Sequence, residues 1–142
     1  MSLITVKFVK LNPEAIPFKY IREGDACMDM YALRDVRLFP HSATLIHTGI
    51  AIELPLGTEG IVRGRSGLAT RGILAHTGTI DRTYRGDVGV ILVNITDEVY
   101  FIKKHDRIAQ FTVKKSYQVQ LVKVPELSET ERGTNGYGSS GA

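Results

Sequence analysis

Cysteine is almost missing from this chain: Cys27 is the only one. A single thiol forbids an intramolecular disulfide and any metal cluster built on cysteines. The four histidines, His41, His47, His76 and His105, are scattered without metal-ligand spacing, so no transition-metal centre is expected. A hard cation is a separate case, because phosphates and water can supply most of its ligands. No apolar run approaches the roughly 20 residues that a membrane-spanning helix needs. The opening residues Met1 to Lys7 lack the basic leader and longer apolar stretch of a secretory signal, and read as a strand. No run of lysine and arginine reaches five residues, and the formal charge is only +3. Charge this dispersed argues against nucleic-acid and membrane partners but suits a small anionic substrate. Together these absences predict a cytoplasmic protein.

What is present fits one folded domain: 142 residues, 43% hydrophobic and 23% charged. The dominant signal is short β-strands separated by turns. Ile4–Val9, Val36–Phe39, Thr44–His47, Ile50–Leu54, Glu59–Arg63, Val88–Val93, Val99–Ile102, Arg107–Val113 and Val119–Val124 all read as strands. Many short strands with turn residues between them predict an all-β sandwich, barrel or jelly roll. One very short helix is expected at Ser66 to Arg71, with Ser66 as its N-cap and Gly72 as its stop. Residues 1–125 are expected to form the β-barrel domain. Residues 126–142, rich in glycine, serine and threonine, are expected to be a flexible tail, since they cannot bury enough surface to order themselves.

Four segments and the tail carry candidate chemistry. Arg63-Gly64-Arg65-Ser66-Gly67 runs from a strand end into the short helix, where free N–H groups, a hydroxyl and a guanidinium suit phosphate oxygens; a plain capped turn with solvated arginines fits equally. Gly78-Thr79-Ile80-Asp81-Arg82-Thr83-Tyr84-Arg85-Gly86 reads as a hairpin. Period-two alternation puts Thr79 and Asp81 on one face and Ile80 on the other. A carboxylate at a strand end can orient and deprotonate a water, and Tyr84 offers a flat surface to a sugar or base. Asp29, between two methionines, needs either a cation or an arginine. In Asp106-Arg107-Ile108-Ala109-Gln110-Phe111, Gln110 shares a face with Ile108; it either reaches a phosphate or is an edge-strand polar residue. The tail places Arg132, Tyr137, Ser139 and Ser140 among glycines, the composition of a flap that closes on a phosphorylated ligand.

Taken in order, these segments resemble the five motifs of the homotrimeric dUTP pyrophosphatases, spanning positions 25 to 141. The resemblance implies a distorted jelly-roll or β-clip barrel that forms trimers, and hydrolysis of dUTP to dUMP and pyrophosphate by water attack on the α-phosphorus. Such an enzyme limits uracil incorporation into DNA and supplies dUMP. The resemblance also implies roles. Asp81 is the base, and Tyr84 packs on the deoxyribose. Gly78, Thr79, Ile80 and Gly89 form the uracil-reading backbone. Arg65, Ser66 and Gly67 hold phosphate. Asp29, through water, and Gln110 support Mg2+ and the phosphates. Arg132, Tyr137, Gly138, Ser139 and Ser140 belong to a tail that crosses to a neighbour's site. Cys27, Gly64, Asn135 and Tyr137 depart from the family's usual residues, the last replacing a phenylalanine. A dCTP deaminase of the same fold is the nearest rival, but it would carry a glutamate after the hairpin, where Val88 to Asn94 has no acid. A regulatory protein-binding role added to the enzyme, or a capsid-type jelly roll, are more distant alternatives.

Overall fold

The computed structural model describes residues 3–141. It contains eleven strands and one short helix among the described residues. In chain order these are β1 (Lys7–Lys10), β2 (Met28–Tyr31), β3 (Val36–Leu38), β4 (Ser42–Ile46), β5 (Ile50–Glu53), β6 (Thr58–Arg63), α1 (Ser66–Ala69), β7 (Ile73–Ala75), β8 (Gly78–Ile80), β9 (Val90–Asn94), β10 (Tyr100–Ile102) and β11 (Arg107–Lys115). Every ladder is antiparallel. A four-stranded sheet has the order β2-β11-β6-β8, and a three-stranded sheet the order β4-β9-β7. Two further pairs, β1-β5 and β3-β10, close the sides. The result is the distorted jelly roll that the family resemblance implies, one of the all-β architectures that the strand pattern allows.

Alternation along the strands builds the core. In β9, Val90 and Leu92 point inward while Ile91 stays exposed. Met30, Leu38, Ile46, Ile50, Val62, Ile73, Ile108 and Phe111 meet them in one apolar cluster drawn from all four sheets. Asn94 is the largest of three buried polar side chains among the described residues, with Thr48 and Thr112. Its amide donates to the carbonyls of Leu38 (2.9 Å) and Glu98 (2.7 Å), and its oxygen accepts from the Thr96 N–H (2.9 Å) and hydroxyl (2.7 Å). One side chain thus satisfies the turn after β9 and the end of β3, as a buried amide must.

Several details differ from expectation. The first strand begins at Lys7 rather than Ile4. Val119–Val124 forms no strand: among the described residues nothing pairs with it, and Leu121 is 94% exposed. The helix ends at Ala69, and Arg65, not Ser66, occupies its N-cap position, with no side-chain cap. Gly72 does stop it: at φ +79° only glycine is comfortable. The segment from Gly78 to Gly86, which reads as a hairpin, is not one. β8 pairs with β6, whereas β9 pairs with β4 and β7, so residues 81–89 cross from one sheet to another. Simple alternation also fails in β11. The register against β2 shifts between Arg107 and Ala109, so Ile108 and Ala109 are both buried.

Replacing Asn94 by alanine strands the buried Leu38 carbonyl and removes the acceptor of the Thr96 donors. Asn94→Ala is therefore expected to lower unfolding stability by roughly 1–3 kcal/mol, measured by urea denaturation. Wild-type stability would show that this network contributes nothing.

Candidate active site

The chain crossing between sheets borders a cavity of about 380 Å³, within the range of small-molecule sites. Its lining includes Gly78, Thr79, Ile80, Asp81, Tyr84 and Gly89, together with His47, His76, Asp87 and Ile91. β8 delivers the first three: Thr79 is exposed, while Ile80 turns in and packs on the core. Asp81 follows at once, exposed, and its carbonyl accepts from the Tyr84 N–H at 3.0 Å. That turn holds the carboxylate and the tyrosine together. The Tyr84 hydroxyl donates to the Asp87 carbonyl at 2.8 Å. Gly86 lies beneath it; a β-carbon there would stand 2.5 Å from the Tyr84 oxygen, so the close approach requires glycine.

A second group gathers elsewhere. Asp29 on β2, with a side chain only 12% exposed, pairs with Arg107 (3.3 Å) and stands 3.9 Å from Arg65. Arginine thus satisfies this acid, one of the two solutions that its position demanded. Arg65 also donates to the Arg107 carbonyl at 3.1 Å. Two guanidiniums against one carboxylate leave a net +1 here, in an arrangement suited to an anion. Gln110 donates to the Gly64 carbonyl at 2.8 Å and so fixes the turn that presents Arg65, Ser66 and Gly67. It is not an edge residue: β11 lies between β2 and β6, and Gln110 faces Asp29 on one side and Arg63 on the other. Arg107 went unread in the sequence, although its place opposite Tyr31, two residues beyond Asp29, follows from the strand pairing. Tyr31 is buried beside this group, and burial, with the nearby Asp29 carboxylate, pushes its hydroxyl pKa up.

The tail joins neither group. Residues 116–141 form no strand or helix. A local turn ties the Asn135 N–H to the Arg132 carbonyl (3.2 Å) and the Arg132 side chain to the Asn135 carbonyl (2.9 Å), while Tyr137 is fully exposed. Arg132, Tyr137, Gly138, Ser139 and Ser140 do not line the cavity that holds Asp81, nor do Asp29, Arg65, Ser66, Gly67 or Gln110.

Comparison with known proteins matches residues 14–141 to the dUTPase family. A deoxyuridine 5′-triphosphate nucleotidohydrolase of a Picosynechococcus strain is 44% identical over 96% of this chain and 98% of its own length. That of Clostridium kluyveri is 47% identical over 93% and 94%. The Staphylococcus bacteriophage 80alpha dUTPase, solved with dUpNHpp, superposes with a TM-score of 0.91 at 28% identity, over 97% of this chain and 99% of that one. The dUTPase from phage phi11 of S. aureus matches in fold, with a TM-score of 0.80 at 23% identity over 86% and 97%; that protein coordinates a structural Mg(II) ion. The molecule is a jelly-roll nucleotidohydrolase. The chain belongs to the dUTPase family and hydrolyses dUTP to dUMP and pyrophosphate.

Proposed function

We propose that Asp81 is the general base of this hydrolysis, taking a proton from the water that attacks the α-phosphorus. The observation that carries the reading is the cavity in which Asp81 and Tyr84, locked in one turn, face the backbone of Gly78 to Ile80 and Gly89. Tyr84 packs on the deoxyribose and leaves no room for a 2′-hydroxyl. The backbone of Gly78, Thr79, Ile80 and Gly89 pairs with uracil. Water attack on a polyanion also needs positive charge at the phosphates. Arg65, with the hydroxyl of Ser66 and the N–H groups of Ser66 and Gly67, which have no acceptor within so short a helix, supplies a phosphate site. Gln110 supports that turn.

Mg2+ fits this reading as a cation carried on the triphosphate. Among the described residues no group of three or more His, Cys, Asp or Glu side chains could hold a metal ion. That agrees with an ion bound largely by phosphate and water, with Asp29 reaching it through water. When bound, the ion neutralises phosphate charge and favours attack.

A homotrimer completes the site. The Asp81 cavity and the Arg65 group do not share lining residues, and a trimer lets one triphosphate span the two groups from different copies. The unpaired apolar stretch Val119 to Val124 calls for cover by a partner. The tail, residues 126–142, crosses to a neighbour, where Arg132 clamps the phosphates, Tyr137 stacks on uracil, and Gly138, Ser139 and Ser140 line the phosphate chain. The reading places the enzyme in the cytoplasm, with the deoxynucleotides on which it acts.

Asp81→Asn is expected to bind dUTP as the parent does while kcat drops by about 10²–10⁴-fold; near-parental turnover would remove Asp81 from the role of base. Tyr84→Ala is expected to raise kcat/KM on UTP relative to dUTP, and an unchanged ratio would argue against its contact with the sugar. Deleting residues 132–142 is expected to abolish turnover with oligomeric mass and melting temperature intact; full activity of the shortened chain would contradict the clamp.

A further inference from the structure

Asp87 is the best-connected side chain around the cavity that the reaction does not use. Its side chain is only 18% exposed. One carboxylate oxygen accepts the Gly49 N–H at 2.5 Å, and the other pairs with His47 Nδ1 at 2.9 Å. Both partners sit in the turn joining β4 to β5. The Asp87 carbonyl points the other way and accepts from the Tyr84 hydroxyl (2.8 Å) and the Gly89 N–H (3.0 Å). The same residue therefore grips the body of the jelly roll with its side chain and grips the cavity wall with its backbone. Next to it, the Val88 N–H donates to the Ile50 carbonyl (2.8 Å), and the buried Thr48 hydroxyl donates to the Val88 carbonyl (2.8 Å).

We propose that Asp87 is a positioning residue for sugar selection, bracing the 81–89 crossing against the Thr48–Gly49 turn so that Tyr84 keeps its place over the sugar. The proposal rests on Tyr84 being the residue that faces the sugar. The physical reason is mechanical. Steric rejection of a hydroxyl works only if the blocking ring cannot retreat. The Tyr84 ring is itself exposed, and its hydroxyl bonds only to a backbone carbonyl in the same loop. A loop that moves as a body would carry ring and carbonyl together and open the space that a ribose needs. Backbone bonds at Val88 hold one end of that peptide, and the carboxylate of Asp87, held by Gly49 and His47, adds the side-chain tie between that carbonyl and the rest of the fold. His47 is exposed enough to be substituted, but Gly49 donates through its backbone, so the aspartate is the member of the brace that a single substitution removes.

The test compares kcat/KM on UTP and dUTP for the full-length parent, Asp87→Ala, Asp87→Asn and Tyr84→Ala. Asp87→Ala is expected to raise the UTP-to-dUTP ratio by about tenfold, because a wall displaced by a fraction of an ångström no longer excludes the hydroxyl. Asp87→Asn is expected to stay within about twofold of the parent. Its amide oxygen still accepts from Gly49, and its NH₂ can donate to the Nδ1 of the other histidine tautomer. A side chain that merely stabilised the fold would lower the melting temperature of Asp87→Ala and leave the ratio alone, and that result overturns the proposal. So does an Asp87→Asn variant as unselective as Asp87→Ala. If Tyr84→Ala shifts the ratio and Asp87→Ala does not, this inference alone fails; if neither shifts it, the reading of Tyr84 fails with it.

Discussion

The molecule is organised around a strand that is hydrogen-bonded along both edges. β11 pairs with β2 on one side and β6 on the other. Because a ladder fixes which residues stand opposite one another, Gln110 must face Asp29 and Arg63 at the same level. The bulge at Ile108 then returns the strand to register while burying two successive residues. The charged group of Asp29, Arg65 and Arg107 is thus a product of pairing as much as of side-chain attraction. Its residues lie up to 78 positions apart in sequence and meet because three strands share one sheet.

The second organising element is a passage between sheets. β8 ends in the four-stranded sheet and β9 begins in the three-stranded one. The nine residues between them, 81–89, are fixed at several places: by the turn from Asp81 to Tyr84, by Asp87, and by Val88 against Ile50. A segment anchored so often can hold the Asp81 carboxylate and the Tyr84 ring in a fixed relation. The cavity wall is held by hydrogen bonds although most of its side chains are exposed.

Much of this was legible in the sequence. Period-two stretches such as Val88 to Val93 and Ile50 to Leu54 marked strands because a half-buried strand must alternate. The five motifs marked the family because their order, not any one of them, is improbable. What stayed hidden was partner choice. Gly78 to Gly86 has the local marks of a hairpin, yet β8 finds its partner in β6, whose pairing is settled by the sheet and not by the loop. Val119 to Val124 alternates as a strand should, but a strand needs a neighbour to pair with, and among the described residues it has none. β7, at three residues, is too short for periodicity to register. Arg107 escaped notice because its importance comes from β2 across the ladder, and Asp87 because its partners, His47 and Gly49, lie about 40 residues earlier.

The turn from Asp81 to Tyr84 has an evolutionary side. Four residues, closed by one 3.0 Å hydrogen bond, carry both the group assigned to speed and the group assigned to fidelity. Backbone shifts in that turn move the two together. A lineage cannot trade accuracy against rate by drifting at this point; a looser sugar pocket comes with a misplaced base. Broader substrate use would therefore have to arise away from this turn, as at the Arg65 group across the same four-stranded sheet, where a change leaves the turn untouched.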